Sequence, residues 1–294
     1  MLRLTSRGHF FSFDHPVVMG IMNVTPDSFF DGGKYQGLTA VLEHCHKMVS
    51  EGADIIDIGA FSTRPGSARI SDKEEIERII PALKAIRKEF PDILISIDTF
   101  RQSVANQCIE EGADIINDIS GGIFDEKMIP YIGKNHIPYV LMHITGTLEG
   151  MHKEEIISEN VHEKVRQFFE KQVNKLLEFG EQQIILDPGI GFNKTIECNF
   201  GLLKDIDKYR INDLPVLIGI SRKSLIYKTL NISPKEALNG TTTLNTIALL
   251  NGADILRVHD VKEAVEAVKL INCVDNYAVP FGQKSNKMFF VRLF

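Results

Sequence analysis

The sequence lacks the features by which several classes of protein are recognised. Its 33 Lys and Arg are outnumbered by 39 Asp and Glu, a net charge of -6, so no excess of cations is available for non-specific nucleic-acid binding. No run reaches the roughly 18 apolar residues of a membrane span, and no signal peptide is visible. The four cysteines are widely separated and form no CxxC pair. They indicate reduced thiols in a cytoplasmic protein, not a disulfide framework or a zinc site.

What is present is enough apolar sequence for one large core. A chain of 294 residues with a hydrophobic fraction of 44% suits a single (β/α)8 barrel. The segment Gly-Ala-Asp-Ile occurs at 52–55, 112–115 and 252–255. These spacings fit two and four units of roughly 30–35 residues, the size of one βα unit. We interpret the segment as a helix-to-strand turn, which makes it a sign of architecture and not of chemistry.

Short apolar runs separated by helical patterns predict a parallel sheet buried on both faces. The predicted strands are 17–24, 55–59, 94–98, 115–119, 138–143, 184–187, 216–220 and 255–258. Eight such units favour a closed barrel over an open, doubly wound sheet. The clearest helices are predicted over 72–90, with Ser71 as N-cap, 154–179 and 261–273. We place the barrel at 16–275, with an N-terminal extension over 1–15 and a C-terminal tail over 276–294.

Two long loops follow the first two predicted strands, over 25–37 and 60–71. Both are rich in residues that favour turns, and loops of this length in a compact domain are often lids. The tail over 276–294 ends on an apolar, strand-like segment. We assign it no chemical role.

Polar residues stand where several predicted strands end, and the carboxyl ends of barrel strands form a pocket. Asn23 ends the first strand, Asp98 the third, and Asn117 and Asp118 the fourth. Asn23 lies three positions before Pro26. Considered alone, it is better explained as a turn residue than as a magnesium ligand. The residues after the third and fourth strands could equally cap the next helices.

The segment Asp187–Phe192, Asp-Pro-Gly-Ile-Gly-Phe, is more specific. It places a carboxylate in a rigid turn, where a planar ring with adjacent N–H donors could bind it through two hydrogen bonds. The sequence shows neither a Ser-His-Asp arrangement nor a Gly-rich Walker loop. The segment therefore favours recognition of a heterocycle over nucleophilic catalysis.

The last two strands end on cations. Ser221, Arg222 and Lys223 follow the seventh strand, which places a hydroxyl and two cations at its carboxyl end. Arg257 and His259 alternate at the end of the eighth strand, so we expect both to point the same way. Two donors on one face at a strand end suit a phosphate. The predicted ligand is a hydrogen-bonding heterocycle with an anionic leaving group.

Taken in order, these strand ends resemble the dihydropteroate synthase family of pterin-binding barrels. The resemblance covers roughly residues 16–272, and its motifs are 23–29, 62–66, 97–99, 116–118, 142–143, 187–192, 221–224 and 257–259. It implies a (β/α)8 barrel and a transferase of folate biosynthesis. The implied reaction condenses 6-hydroxymethyl-7,8-dihydropterin diphosphate with 4-aminobenzoate, giving 7,8-dihydropteroate and diphosphate. We expect a dissociative substitution, because an electron-rich pterin delocalises the charge left when diphosphate departs.

The same resemblance implies a role for each strand-end residue, with Asn23, Asp98 and Lys223 as the catalytic set. The implied pterin ligands are Asp98, Asn117, Met142, Asp187 and Lys223. The implied diphosphate ligands are Asn23, Thr63, Arg257 and His259, with Mg2+ as cofactor on Asn23. The implied neighbours of the 4-aminobenzoate ring are Thr63, Arg64, Pro65, Phe192 and Ser224. The family usually forms homodimers and is the target of sulfonamides.

Two departures from the family pattern concern loops. Phe61 stands where the family commonly has Glu, and the motif that begins at Met142 lacks the usual Pro, with Leu148 in its place. Two alternatives share parts of the pattern. Methyltetrahydrofolate-dependent methyltransferases would not need Lys223 or the diphosphate ligands. A non-catalytic pterin-binding module would be expected to have lost Asn23, Asp98 or Lys223, and all three are present.

Overall fold

The computed structural model describes residues 2–24, 34–60, 70–147 and 156–275, apart from the side chains of 34–36 and 275. Ten strands are present in these segments. They are β1 (Leu2–Ser6), β2 (His9–Phe13), β3 (Val17–Asn23), β4 (Ile55–Gly59), β5 (Leu94–Asp98), β6 (Ile115–Asp118), β7 (Tyr139–Met142), β8 (Ile184–Asp187), β9 (Leu217–Ile218) and β10 (Ile255–Val258). Eight of them, β3 to β10, form one parallel sheet, and β1 and β2 form an antiparallel hairpin.

Helices follow the sheet strands in the same described segments. They are α1 (Lys34–Glu51), α2 (Asp72–Glu89), α3 (Gln102–Glu110), α4 (Met128–Asn135), α5 (Val161–Leu177), α6 (Ile196–Lys204), α7 (Ser224–Leu230), α8 (Leu238–Leu250) and α9 (Val261–Asp275). Short 3-10 turns cover Ile206–Lys208 and Pro234–Glu236. Among these helices, none is long and apolar enough to cross a membrane.

The sheet closes into a barrel. Its strand order is β8-β7-β6-β5-β4-β3-β10-β9, and a parallel bridge between Leu186 and Val216 joins β8 to the residue before β9. Most strand residues are buried because one face of each strand lines the barrel interior and the other packs under the helices. In β4, for example, all five residues are buried. The predicted (β/α)8 barrel is therefore confirmed.

The hairpin β1–β2 covers the amino-terminal end of the barrel. Leu2 and Leu4 are buried in one cluster with the first residues of the barrel strands, such as Val17 and Ile55. Arg7 donates from Nε to the buried Asp114 carboxylate over 2.6 Å, which ties the hairpin to the turn before β6. The expected N-terminal extension thus contains a hairpin that seals one end of the barrel. The opposite end, where the strands finish, is left for the site.

Most predicted elements match the structure within a few residues, and four of the eight strand predictions match at both ends. Ser71 caps α2 as predicted, accepting a hydrogen bond from the Glu74 amide over 3.2 Å. The predicted loop over 25–37 was wrong at its end, because α1 begins at Lys34. Strand β9 is shorter than predicted, since the carbonyl of Ile220 already accepts the Lys223 amide in a turn.

Candidate active site

The barrel brings the predicted polar residues to one end. Strand register places Asp98 beside Asn117 and Met142 beside Asp187. Asn23, the last residue of β3, lies beside Gly59 and is exposed. A Cβ at Gly59 would lie 3.2 Å from the Asp98 Cβ, so glycine there makes room for the carboxylate.

Arg257 links three of these strands. It donates from Nε to Asp57 and from Nη2 to Asp98, each over 2.6 Å. The Asn117 amide donates to the same Asp57 oxygen over 3.1 Å. Burial raises the pKa of Asp98, although the Arg257 charge opposes this shift. Burial acts against the charged form of Arg257, but Asp57 and Asp98 outweigh it and raise the arginine pKa.

Asp57 belongs to this network and was missed by the sequence interpretation. It is fully buried within β4, with Oδ2 bound to Arg257 and Asn117 and with no partner for Oδ1 among the described residues. A signal was available, because Asp57 is a charged residue inside the apolar run 55–59. A buried carboxylate needs a hydrogen-bonded partner of opposite charge.

Asp187 and Lys223 form the second polar group. Asp187 accepts the Gly189 amide at Oδ1 over 2.7 Å, and burial raises its pKa while Lys223 opposes the shift. Lys223 donates from Nζ to the Ile190 carbonyl over 2.5 Å. Burial lowers the pKa of Lys223 to about 8, with Asp187 acting in the opposite direction. Asp187 is therefore a buried charge and Lys223 a half-buried one, and both contact the same turn.

An apolar wall adjoins these charges. Met142 and Phe192 are buried in one cluster with Phe100, Ile119 and Ile144. The Lys223 ammonium lies 4.7 Å from the centre of the Phe192 ring, within range of a cation–π contact. The site thus combines hydrogen-bonding charges with an apolar surface suited to a planar ring.

The two cations of the motif after β9, Arg222 and Lys223, have different partners. Arg222 has a left-handed φ of 56° and forms a bidentate pair with Asp260, at 2.9 Å from Nε and 2.8 Å from Nη2. Ser221 Oγ lies 3.1 Å from His259 Nδ1. Arg222 therefore ties the loop after β9 to the loop after β10.

Two further polar residues, Asp118 and His143, are buried and are not assigned to bind the ligand. Asp118 accepts the Tyr139 hydroxyl over 2.7 Å and the Gly122 amide over 2.9 Å, so it holds a turn and leaves Asn117 to the site. His143 is buried against Phe168, and burial lowers its pKa well below the ordinary value. Its Nδ1 has no hydrogen-bond partner among the described residues.

The remaining predicted site residues are Ser224 and several positions that the structure does not describe. Ser224 begins α7 directly after Lys223 and is half-buried. Of the positions named in the sequence analysis, those outside the described segments are 25–33 and 61–69 of the two predicted loops, including Phe61, Thr63, Arg64 and Pro65, together with Leu148 and the tail over 276–294. Their predicted roles stay predictions.

Comparison with known proteins agrees with this geometry. The family model described as "Pterin binding enzyme" matches residues 19–259. The chain belongs to this family. A dihydropteroate synthase of Synechocystis is 45% identical over 260 residues, covering 87% of this chain and 89% of the relative. That of Escherichia coli is 39% identical over 272 residues, covering 92% and 95%.

Solved pterin-binding enzymes have the same architecture. The dihydropteroate synthase of Yersinia pestis in a sulfonamide drug complex superposes with a TM-score of 0.84 at 36% identity, covering 93% of this chain and 99% of the other. That of Burkholderia cenocepacia complexed with 7,8-dihydropteroate gives 0.83 at 31% identity, covering 93% and 96%. Both the fold and the family resemblance seen in the motifs are confirmed.

Proposed function

We propose that this chain condenses 6-hydroxymethyl-7,8-dihydropterin diphosphate with 4-aminobenzoate, forming 7,8-dihydropteroate and diphosphate. The supporting observation is the convergence of Asp98, Asn117, Asp187 and Lys223 at one end of a barrel of the pterin-binding family. The reaction is a transfer of the pterin-methyl group in folate biosynthesis. The dihydropteroate synthases that the chain resembles support the same reaction.

The pterin ring is proposed to lie between the two polar groups and the apolar wall. Its 2-amino group and N3–H are two adjacent donors that match the Asp187 carboxylate. Its O4 and N5 side faces the Lys223 ammonium, and Asn117 and Asp98 contact the remaining edge. Met142 and Phe192 belong to the apolar wall, against which the ring would bury its own apolar surface.

The diphosphate is proposed to bind Asn23, Thr63, Arg257 and His259. In the described part of the chain, no group of three or more His, Cys, Asp or Glu could hold a metal ion. Mg2+ characteristically binds one or two protein oxygens together with substrate phosphates and water. The exposed Asn23 amide fits that role as a single ligand. When bound, Mg2+ would neutralise charge on the departing diphosphate.

The proposed chemistry is a dissociative substitution. The bond between the exocyclic methylene carbon and the diphosphate oxygen breaks, and its electron pair leaves with diphosphate. Asp98 stabilises the resulting pterin cation, and Arg257 lies 2.6 Å from Asp98, close to where the diphosphate charge grows. The 4-aminobenzoate amine then forms the new carbon–nitrogen bond and loses one proton. Phe192 and Ser224, with Thr63, Arg64 and Pro65, are proposed to border the incoming ring.

We also propose a homodimer in the cytoplasm. Ile247 and Leu250 on α8 and Leu270 and Val274 on α9 are exposed apolar residues on two helices that pack side by side. A second copy of the chain would cover such a surface. All four cysteines are free thiols, three of them buried, as suits a reducing compartment. Sedimentation of a Leu250→Glu variant, expected to shift toward monomer, tests the dimer.

Turnover is the direct test of the function. The purified chain is incubated with the pterin diphosphate, 4-aminobenzoate and Mg2+, and 7,8-dihydropteroate is identified by mass spectrometry. Asp187→Asn serves as the matched variant with an impaired pterin pocket. Absence of product from wild type that still binds the pterin would favour a binding module. Methyl transfer from methyltetrahydrofolate would favour the methyltransferase alternative.

Isotope scrambling tests the dissociative step. The substrate carries 18O at the bridge between methylene and diphosphate, and 4-aminobenzoate is left out. If the bond breaks reversibly before the amine attacks, the label moves to non-bridging positions. A label that stays in the bridge until 4-aminobenzoate is added would point to a concerted displacement.

A further inference from the structure

We propose that Lys194 is a positioning residue of the pterin pocket, since its buried ammonium binds three carbonyl oxygens and so fixes the turn that carries Asp187 and supports Lys223. The inference rests on the proposed function and deepens it, because the turn forms one side of the pocket assigned to the pterin ring. Lys194 itself is assigned no contact with substrate.

The environment of Lys194 is unusual for a lysine. The residue is 9% exposed, and Nζ lies 2.9 Å from the Gly189 carbonyl, 3.0 Å from that of Phe192 and 3.4 Å from that of His143. An ammonium has three N–H donors, so the three carbonyls account for all of them. Among the described residues, no carboxylate pairs with it directly.

A buried cation of this kind is weak evidence for stability, because an apolar side chain of similar size often stabilises a fold as well. The contribution of the ammonium is to hold the turn in one conformation. Gly189 and Gly191 have left-handed φ angles of 64° and 86°, so the turn follows a path that an extended chain would not. Lys194 joins the carbonyls at both ends of this turn to the end of β7 at His143.

The same turn also contacts two residues of the proposed pterin pocket. Asp187 Oδ1 accepts the Gly189 amide over 2.7 Å, and the Ile190 carbonyl accepts Lys223 Nζ over 2.5 Å. The Phe192 ring lies under the Lys223 ammonium at 4.7 Å. Gly189 and Phe192, the residues whose carbonyls bind Lys194, therefore also orient Asp187 and Lys223. A shift of those carbonyls would move both charges of the pocket.

The charge of Lys194 acts in the same direction. Burial lowers the pKa of Lys194 to about 7, so the residue is an ammonium below that pH. Burial raises the pKa of Asp187, and the charge of Lys194 is among those that oppose this rise. A neutral residue at 194 would therefore leave Asp187 less readily ionised, in addition to loosening the turn. Both effects weaken recognition of adjacent N–H donors on a ring.

The test compares Lys194→Met, which keeps length without donors, with Lys194→Gln, which keeps two N–H donors. Lys204→Met, at an exposed position on the neighbouring α6, is the matched control. Each protein is assayed for equilibrium binding of a pterin without diphosphate, for kcat, and for the KM toward each substrate. Thermal unfolding is recorded in parallel, so that a loss of fold is measured separately.

For Lys194→Met we expect pterin affinity to fall by about 10-fold or more, as for loss of hydrogen bonds from a charged group. The KM for the second substrate, 4-aminobenzoate, should change by less than about threefold, and Lys194→Gln should lie between Met and wild type. Unchanged pterin binding in a folded variant would overturn the inference. Equal losses in both KM values, or failure of both variants to fold, would also overturn it and make Lys194 a stability residue.

Binding by wild type separates this inference from the function on which it rests. If wild type binds no pterin, the proposed function fails. If wild type binds pterin and Lys194→Met binds it equally, the function stands and only the role of Lys194 fails.

Discussion

Arg257 on β10 donates from Nη2 to the carboxylate of Asp98 on β5 over 2.6 Å, which joins two strands on either side of β3 and β4. The pair fixes the carboxylate before any ligand arrives. An anion proposed to stabilise a transient cation is most effective when it needs no rearrangement during the reaction. Arg257 also binds Asp57 through Nε, so the arginine is oriented by two carboxylates at once.

Asp57 is therefore expected to matter although it was not predicted. In Asp57→Asn, the amide oxygen can keep the position of Oδ2, which binds Arg257 and Asn117, but the NH2 group then takes the position of Oδ1, where it is a buried donor with no partner among the described residues. We expect the free energy of unfolding to fall by about 1–3 kcal/mol, with a clear loss of pterin affinity. Chemical denaturation and calorimetry measure the two effects. Asp92→Asn, at an exposed position, is the control, and wild-type values for Asp57→Asn would refute the network's importance.

Lys223 and Asp187 are the residues expected to be most sensitive. Lys223→Ala removes a charge-assisted bond to a buried ring, which contributes about 1.5–3 kcal/mol to binding alone, so affinity and turnover together should fall by several orders of magnitude. Asp187→Asn replaces an acceptor by a donor and should act similarly. Steady-state kinetics and pterin binding measure both, with the exposed Lys228→Ala as control. Near-wild-type kinetics for both variants would exclude the assigned pocket.

The sequence was sufficient for the barrel because its evidence is local. Apolar runs, helical periodicity and glycine turns depend on neighbouring residues, as with Ile55–Gly59, which is predicted at both ends. The site depends on contacts between distant residues, such as Arg257 with Asp57, 200 positions apart. The pattern after β9 placed Arg222 and Lys223 together, but a left-handed φ at Arg222 sends its side chain to Asp260. The residues next to Arg222 and Lys223 in the sequence do not indicate that these two side chains have different partners.

A divalent cation is expected to be required for turnover. The reason is that Asn23 offers one neutral oxygen and the diphosphate carries the charge that a cation would neutralise. Excess chelator should abolish product formation, and added Mg2+ should restore it. Asn23→Ala should raise the Mg2+ concentration needed for half-maximal rate. Binding of a pterin without diphosphate should be unaffected by chelator, and full turnover in excess chelator would disprove the assignment.

The pH dependence of pterin recognition should follow Lys223. Burial lowers its pKa from 10.5 to about 8, so the ammonium loses its proton as pH rises through about 8 and affinity for the pterin should fall. The free energy of unfolding changes with pH in the opposite direction. Between about 8 and 10.5 the unfolded chain keeps the proton that the folded chain has lost, so this group makes stability rise with pH.

Calorimetry at several pH values should therefore show weaker binding of the pterin as pH rises, while unfolding measurements show no loss of stability from Lys223. Lys223→Met should remove the pH dependence, whereas Lys228→Ala should keep it. Constant affinity up to pH 10 in wild type would show that the ammonium does not bind the ring.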